Sequence, residues 1–426
     1  MQEKLRNTLL WSLIGMFAIA EVATADEVIH KVDSGQYLYT VSNSRSGNAV
    51  LGYRIDPSTG NLTQLPASPF STHGRGEGSF VLGDSDNGIV VSKDRKFLFA
   101  PNRGSQTIAV FSIQRNGALK DVSGSPFPTG GYTPVSLALY DDLLYVAHLG
   151  TGLPDICRNC EYRGFRVSKT GYLTPMENAV VKLSETPPAI PFALRFSPDG
   201  RFLIGTELGT SKINVFEVKR DAPQSDAQLI PVPGTPFNSI GKQPFGFSFN
   251  PVNASQIFIS NVETLAIPQD VQSSVSSYLI AETGQIAPIV SQLPSNGGQL
   301  AACWVSLTDD GKVLFTTNAE SDSISSYRVA ADGHLALLHV TPIPHAINQT
   351  RNMAPVDMAI TTHNKFLYMP TRDVPTITGF SIAGDGTLTP IPGVNPLPIA
   401  ISDAVPFGIA YVDFSTPSVE IKYREE

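Results

Sequence analysis

The sequence predicts an all-β fold: a single seven-bladed β-propeller with four-stranded blades, its first blade closed by strands from both ends of the chain. Three observations predict it. Strand-sized apolar segments ending in a polar residue recur seven times, at Asn43, Asn102, His148, Glu207, Asn261, Asn318 and Thr371, spaced 46 to 59 residues apart. Each is followed by an alternating strand with one aromatic, Tyr53, Phe111, Phe165, Phe216, Tyr278, Tyr327 or Phe380. A turn with a following aliphatic comes next, as in Gly60-Asn61-Leu62, Gly117-Ala118-Leu119 and Gly386-Thr387-Leu388; only the fourth copy, Asp226-Ala227-Gln228-Leu229, lacks the glycine. A period near fifty with several strands per unit indicates a propeller. A pair of β-sandwiches, the competing all-β arrangement, predicts no constant period.

The chain has 426 residues, with 42% hydrophobic and 16% charged residues, 35 Gly and 33 Pro. That composition is turn-rich and globular. The net charge of −8 and the scattered basic residues argue against nucleic acid as a partner.

In chain order, residues 1–25 read as a secretory leader. Lys4 and Arg6 precede an apolar run from Leu9 to Ala20, and Ala23-Thr24-Ala25 is a small-x-small cleavage site. The run is short for a membrane span, and an uncleaved N-terminal anchor is the alternative. No other stretch is apolar enough to span a membrane, so a periplasmic or secreted protein is expected, without an integral membrane segment once the leader is removed. Residues 26–35 form a lead-in, 36–414 the propeller and 415–426 a tail.

The clearest repeat lies in blade 4. Strand A ends at the turn Ser197-Pro198-Asp199-Gly200, where Pro presets φ and Gly takes a positive φ cheaply. Strand B ends at Glu207, and strand C carries Phe216. Strand A lies nearest the axis and reads as continuously apolar, as a strand buried on both faces must. The propeller begins at strand B of blade 1, and its missing strand A appears at residues 405–414, VPFGIAYVDF, which resemble 243–250, QPFGFSFN. Such closure leaves few exposed sheet edges. Three insertions depart from the pattern: 71–88, with His73, Arg75 and Glu77; 150–162, with Cys157 and Cys160; and 263–271.

Strand B ends and strand A begins on one face of a propeller. The seven polar ends, with Arg103 and Arg372 next to two of them, are therefore expected to surround one mouth of the channel and to offer a concave site for a small molecule or protein partner. Asn at a strand end also satisfies local backbone groups, which is the structural alternative. His148 and Glu207 break the Asn pattern, and a His and a carboxylate facing one cavity can act as base and acid. Cys157 and Cys160 form one C-x-x-C pair; in an oxidising compartment a local disulfide is favoured over a zinc or redox site. No Gly-x-Ser-x-Gly elbow, phosphate loop or His-Glu-x-x-His segment occurs, and neither cofactor nor metal is expected. A monomer is expected.

The motifs Ser197-Pro198-Asp199-Gly200-Arg201-Phe202-Leu203, Ile213-Asn214-Val215-Phe216, Gly386-Thr387-Leu388-Thr389-Pro390, Ser123-Gly124-Ser125-Pro126-Phe127-Pro128 and Pro233-Gly234-Thr235-Pro236-Phe237 resemble those of the lactonase-type seven-bladed propellers. These include propeller-type 6-phosphogluconolactonases and carboxymuconate-cyclising enzymes; related surface-layer repeats share the blade pattern. The resemblance covers about residues 36–414 and implies a lactonase-like hydrolase or isomerase. Where the phosphogluconolactonases carry a His-Pro-His-x-x-His segment, this chain has Ile190-Pro191-Phe192-Ala193-Leu194-Arg195: the proline remains, all three histidines are absent, and the acid at the end of strand B is Glu207. The resemblance to the cyclising enzymes implies a catalytic set of Arg195, Glu207 and His148. Arg195 and Arg372 would hold an anion, His148 and Glu207 would move protons, Arg103 would also bind substrate, and Asn43, Asn102, Asn261 and Asn318 would orient hydroxyls. Two functions follow: hydrolysis or isomerisation of a small anionic lactone or sugar-derived substrate, or noncatalytic binding of a ligand or partner at the same face.

Overall fold

A computed structural model describes residues 35–78, 85–151, 156–222, 225–263, 273–290, 293–345, 350–395 and 397–416. The expected leader, nearly all of the lead-in, most of the tail and most of the 263–271 insertion lie outside these residues.

Seven antiparallel sheets of four or five strands make up the fold. Blade 1 joins the two chain ends: Phe407–Asp413 pairs with Gln36–Val41, which pairs with Ala49–Ile55 and then Leu62–Gln64. The other blades run A to D in chain order. Blade 4, for example, is Pro191–Phe196, Phe202–Glu207, Lys212–Arg220 and Ala227–Pro231. Blades 1, 2, 4 and 7 add a two-residue strand that pairs with strand C. Among the described residues no helix is long and apolar enough to cross a membrane.

The repeated marks are the contacts that hold blade to blade. The strand-C aromatics are all buried, from 0% exposure at Tyr327 to 5% at Phe216. The C–D turn of each blade docks on its predecessor. At Gly117 the backbone has φ +81°, and a Cβ would be driven into the Tyr37 ring of blade 1, so both conformation and space demand glycine. Strand-B tyrosines complete the docking: Tyr39 donates to Gly117 O (2.7 Å) and Tyr368 donates to Gly60 O (2.6 Å). In blade 4, whose turn lacks glycine, Tyr145 still donates to Ala227 O (3.3 Å).

The strand registers align the blades residue by residue. Leu98, Leu144, Leu203, Ile257, Leu314 and Leu367 face the strand-C aromatics, as Leu38 faces Tyr53. The position equivalent to Asn102 in blade 1 is therefore Ser42, not Asn43. Strand B there ends at Val41, and Asn43 lies beyond it with φ +50°.

Tyr39→Phe should cost about 1 kcal/mol by loss of one buried hydrogen bond. Gly117→Ala should cost more, because strain and overlap add. Denaturant midpoints of the two variants check the order.

Candidate functional site

Most of the predicted polar ring clasps strand B to strand C within its own blade. Asn102 Nδ2 donates to Thr107 Oγ1 (3.0 Å), while its Oδ1 accepts from Thr72 Oγ1 (2.6 Å) and Asn48 Nδ2 (2.9 Å). Asn261 donates to the hydroxyls of Ser274 and Ser276, and Asn318 to those of Ser323 and Ser325. Thr371 is hydrogen-bonded to Thr376 (2.6 Å). Glu207 fills the same role: it accepts from Asn214 Nδ2 (2.7 Å) and from the Thr210 hydroxyl. Asn43 accepts from the Glu77 amide (2.8 Å). Buried polar groups need such partners, and these side chains find theirs on neighbouring strands and loops.

His148 has no exposure and packs against Gly131. Neither ring nitrogen has a hydrogen-bond partner of good geometry among the described residues. Burial pushes its pKa down to about 4, against the opposing pull of Glu161, so the imidazole is neutral at neutral pH. The Glu161 carboxylate itself is held by Arg163 and Lys182. Arg103 is 1% exposed, with its guanidinium 5.0 Å from the centre of the Phe407 ring and Nε 3.6 Å from Glu77. Arg372 Nε donates to Asp373 (2.9 Å). Cys157 and Cys160 are buried and bonded through their sulfurs.

Of the three residues assigned to catalysis, only Arg195 reaches the axis. It projects from strand A of blade 4 at the position occupied in the other blades by Val90, Ala138, Ser248, Ser306, Ala359 and Ala410. Small side chains there leave room for one arginine. Its Nε and Nη2 donate to the Asp86 carboxylate at 2.9–3.1 Å. His148, Glu207 and Arg195 make no hydrogen bond or ion pair with one another among the described residues.

Asp86 belongs to residues 85–88, the end of the 71–88 insertion, which lie against the inner strands. Its amide donates to Phe192 O (3.1 Å), and its carboxylate accepts from the Phe247 amide (3.3 Å). Ser85 donates to Val135 O and accepts from Trp304 Nε1 (3.1 Å). Asn87 donates to Leu194 O (3.1 Å) and accepts from the Leu137 amide (3.1 Å). Gly88 packs on Phe407 and on Gly408, where a Cβ would come within 2.8–2.9 Å of the Gly88 backbone. Three residues and a glycine thus touch blades 1, 3, 4, 5 and 6. Asp357, from blade 7, completes the cluster: burial first, and the neighbouring Asp86 carboxylate second, push its carboxyl up to about 8, against the pull of Arg195.

Below this cluster lies a cavity of about 470 Å³. Asn87 and Arg195 stand at its inner end, and Pro198 and Pro251, beside the A–B turns, at its mouth. It therefore opens on the face opposite the strand-B ends, where the site was expected. Arg195 is 29% exposed there. Beyond the pair with Asp86, which engages Nε and Nη2, its Nη1 has no protein acceptor among the described residues. An arginine held in place by a carboxylate presents a fixed edge of N–H donors to an anion or a polarised carbonyl.

Reading by motif did not find Asp86 and Asp357, but a signal existed. Strand A opens with Pro191-Phe192-Ala193, Pro244-Phe245-Gly246 and Pro406-Phe407-Gly408 in blades 4, 5 and 1. Blade 2 has Asp86-Asn87-Gly88 at these positions, and blade 7 has Pro355-Val356-Asp357. Departures from the repeat on the innermost strand mark the axial residues.

A family model described as Lactonase, 7-bladed beta-propeller, matches residues 28–153 and 185–394. Among solved structures, a candidate 6-phosphogluconolactonase from Bacteroides fragilis superposes with a TM-score of 0.68 at 19% identity, covering 90% of this chain and 99% of its own. A protein from Lactobacillus plantarum gives 0.67 at 16%, covering 89% and 99%. The periplasmic gluconolactonase of Pseudomonas aeruginosa gives 0.65 at 16%, with the same coverage. At such identities the likeness shows the fold. No curated protein matches the chain.

The folded state binds the Asp357 proton more tightly than the unfolded chain, whose carboxyl titrates near 4. This group therefore lowers stability as pH rises from about 4 to 8, by at most about 1.4 kcal/mol per unit. Asp357→Asn removes the effect. Its melting temperature should gain on the wild type steadily between pH 5 and 8, as scanning fluorimetry across that range can check.

Proposed function

The chain belongs to the lactonase family of seven-bladed β-propellers, and from that premise we propose that it hydrolyses a small lactone in the axial cavity. The observation that carries the reading is the N–H edge of Arg195 in the cavity wall, held in place by the buried Asp86 carboxylate.

In this reading the lactone carbonyl oxygen faces Arg195. A water oxygen adds to the carbonyl carbon, and the growing negative charge on the carbonyl oxygen is met by fixed donors rather than by reorganising water. The ring C–O bond then breaks. One proton of the attacking water passes to solvent water in the open cavity and the departing alkoxide takes one back from it, since neither Asp86 nor Asp357 lines the cavity. The product is a hydroxy acid whose carboxylate stays opposite Arg195. His148 and Glu207 take no part in this scheme, since neither is hydrogen-bonded to the axial cluster.

Export forms part of the proposal. The basic start, apolar run and Ala-x-Ala site at 23–25 support it, and so does the fold shared with a periplasmic gluconolactonase. Outside the cytoplasm a phosphorylated sugar is a poor substrate, so an unphosphorylated lactone is favoured.

The test is hydrolysis of a panel of γ- and δ-lactones by the purified protein, followed by pH-stat. Arg195→Ala should lose about 10²–10³-fold in kcat. His148→Ala and Glu207→Gln, if folded by circular dichroism, should retain it. Loss in the latter pair with retention in Arg195→Ala would move the site to the opposite mouth.

A further inference from the structure

The charges around the axial cavity bear on the charge of its substrate. Resting on the reading of that cavity as the substrate site, we propose that it takes uncharged lactones and discriminates against anionic ones, whether the substrate carries a phosphate or a carboxylate.

Among the described residues that line the cavity, Arg195 alone carries a charge. That charge is already balanced. Nε and Nη2 donate to the buried Asp86 carboxylate at 2.9–3.1 Å. The pair is a dipole of zero net charge with its positive end toward the cavity. Asp357, behind the wall, adds no charge while protonated and a negative one when ionised, and in neither state a positive one. The other polar side chains of the lining, Asn87, Ser248 and Tyr411, offer hydrogen bonds but no countercharge. Burial raises the pKa of the Tyr411 hydroxyl, so it too is neutral.

An anion brought out of water loses far more hydration than a carbonyl does, and only countercharge offsets the loss. A phosphate or carboxylate at Arg195 would be drawn by the guanidinium and repelled by the Asp86 carboxylate held on it, so the gain is reduced while the desolvation cost stays whole. A lactone carbonyl meets the opposite balance. It brings a dipole and not a charge, its desolvation is cheap, and Arg195 Nη1, with no protein acceptor among the described residues, can donate to its oxygen. The same balance acts after hydrolysis. The carboxylate formed opposite Arg195 is held less well than the ester it replaces, which favours release of the acid. This preference rests on charge at the site and is independent of the compartment.

Charge is tested on ligands matched in body. Calorimetry on the wild type compares 2-pyrrolidinone with pyroglutamate, and glucono-δ-lactam with glucaro-δ-lactam, whose ring is the same and whose terminal group is a carboxylate. Where a pair binds, the neutral lactam should bind at least tenfold more tightly. Equal or reversed affinities, or no binding by any of the four, overturn the inference. Asp86→Asn keeps an acceptor for the guanidinium and leaves its charge unbalanced. In that variant, folded by circular dichroism, the anionic member should bind at least as tightly as the neutral one, a gain that loss of structure does not imitate. An unchanged ratio overturns the inference, and if the variant does not fold the wild-type ratios decide. In turnover, kcat/KM for glucono-δ-lactone should exceed that for 6-phosphoglucono-δ-lactone at least tenfold; the reverse order overturns the inference and leaves the hydrolase reading intact. Selective binding of the neutral lactams with no turnover of any lactone would uphold the charge class and sink the hydrolase reading.

Discussion

The contact between Asp86 and Arg195 is the constraint on which the centre of this propeller depends. Seven inner strands meeting around an axis leave a channel that their own side chains do not fill. Here a short arm, residues 85–88, lies against those strands, and its carboxylate closes on the one arginine of the inner ring. Asp86 is 1% exposed, so its charge requires a partner; an unpaired charge at that depth costs several kcal/mol. The arm's backbone and side-chain hydrogen bonds to Val135, Phe192, Leu194, Phe247 and Trp304 hold the pair in register. The channel becomes a one-ended pocket that opens on the A–B turn face.

The same pair explains the chemistry available at the inner end. Arg195 is oriented by Asp86 through two of its nitrogens, and the donors left over point toward the cavity. Burial first, and the neighbouring Asp86 carboxylate second, push the Asp357 carboxyl up to about 8. A fixed cationic edge suits the oxyanion that forms when an ester ring opens, and Arg195 brings it to the cavity wall, whereas Asp86 and Asp357 lie behind that wall. The strand-B ends serve the architecture instead. The amides of Asn102, Asn261 and Asn318, the Thr371 hydroxyl and the Glu207 carboxylate each lock a B–C hairpin and are themselves satisfied by it, whereas the His148 ring is not.

Much of the fold was legible in the sequence because repetition makes physical requirements visible. The period near fifty, the strand-C aromatics and the C–D glycines recur since every blade must dock on its predecessor in the same way. The closure of blade 1 was legible for the same reason: 405–414 repeats the pattern of 243–250. The site was less legible. Of the residues singled out for chemistry, Arg195 lines the axial cavity, while His148 and Glu207 do not. Asp86 and Asp357 went unnoticed because a repeat reading looks for matches, whereas these residues stand where the pattern fails. Asn43 was one residue out of step, since the pairing of Leu38 with Tyr53 gives the ring position to Ser42.

The most direct measurement of this account is a double-mutant cycle between Asp86 and Arg195. The variants are Asp86→Asn, Arg195→Gln and the double substitution, each with its unfolding free energy from denaturant melts. If the pair organises the axis, the two single variants are each strongly destabilised, and the coupling energy is about 2 kcal/mol or more, well outside the additivity of independent sites. Effects that add to within about 0.5 kcal/mol would show that the two side chains act independently, and would contradict the claim that their contact closes the channel and shapes the pocket.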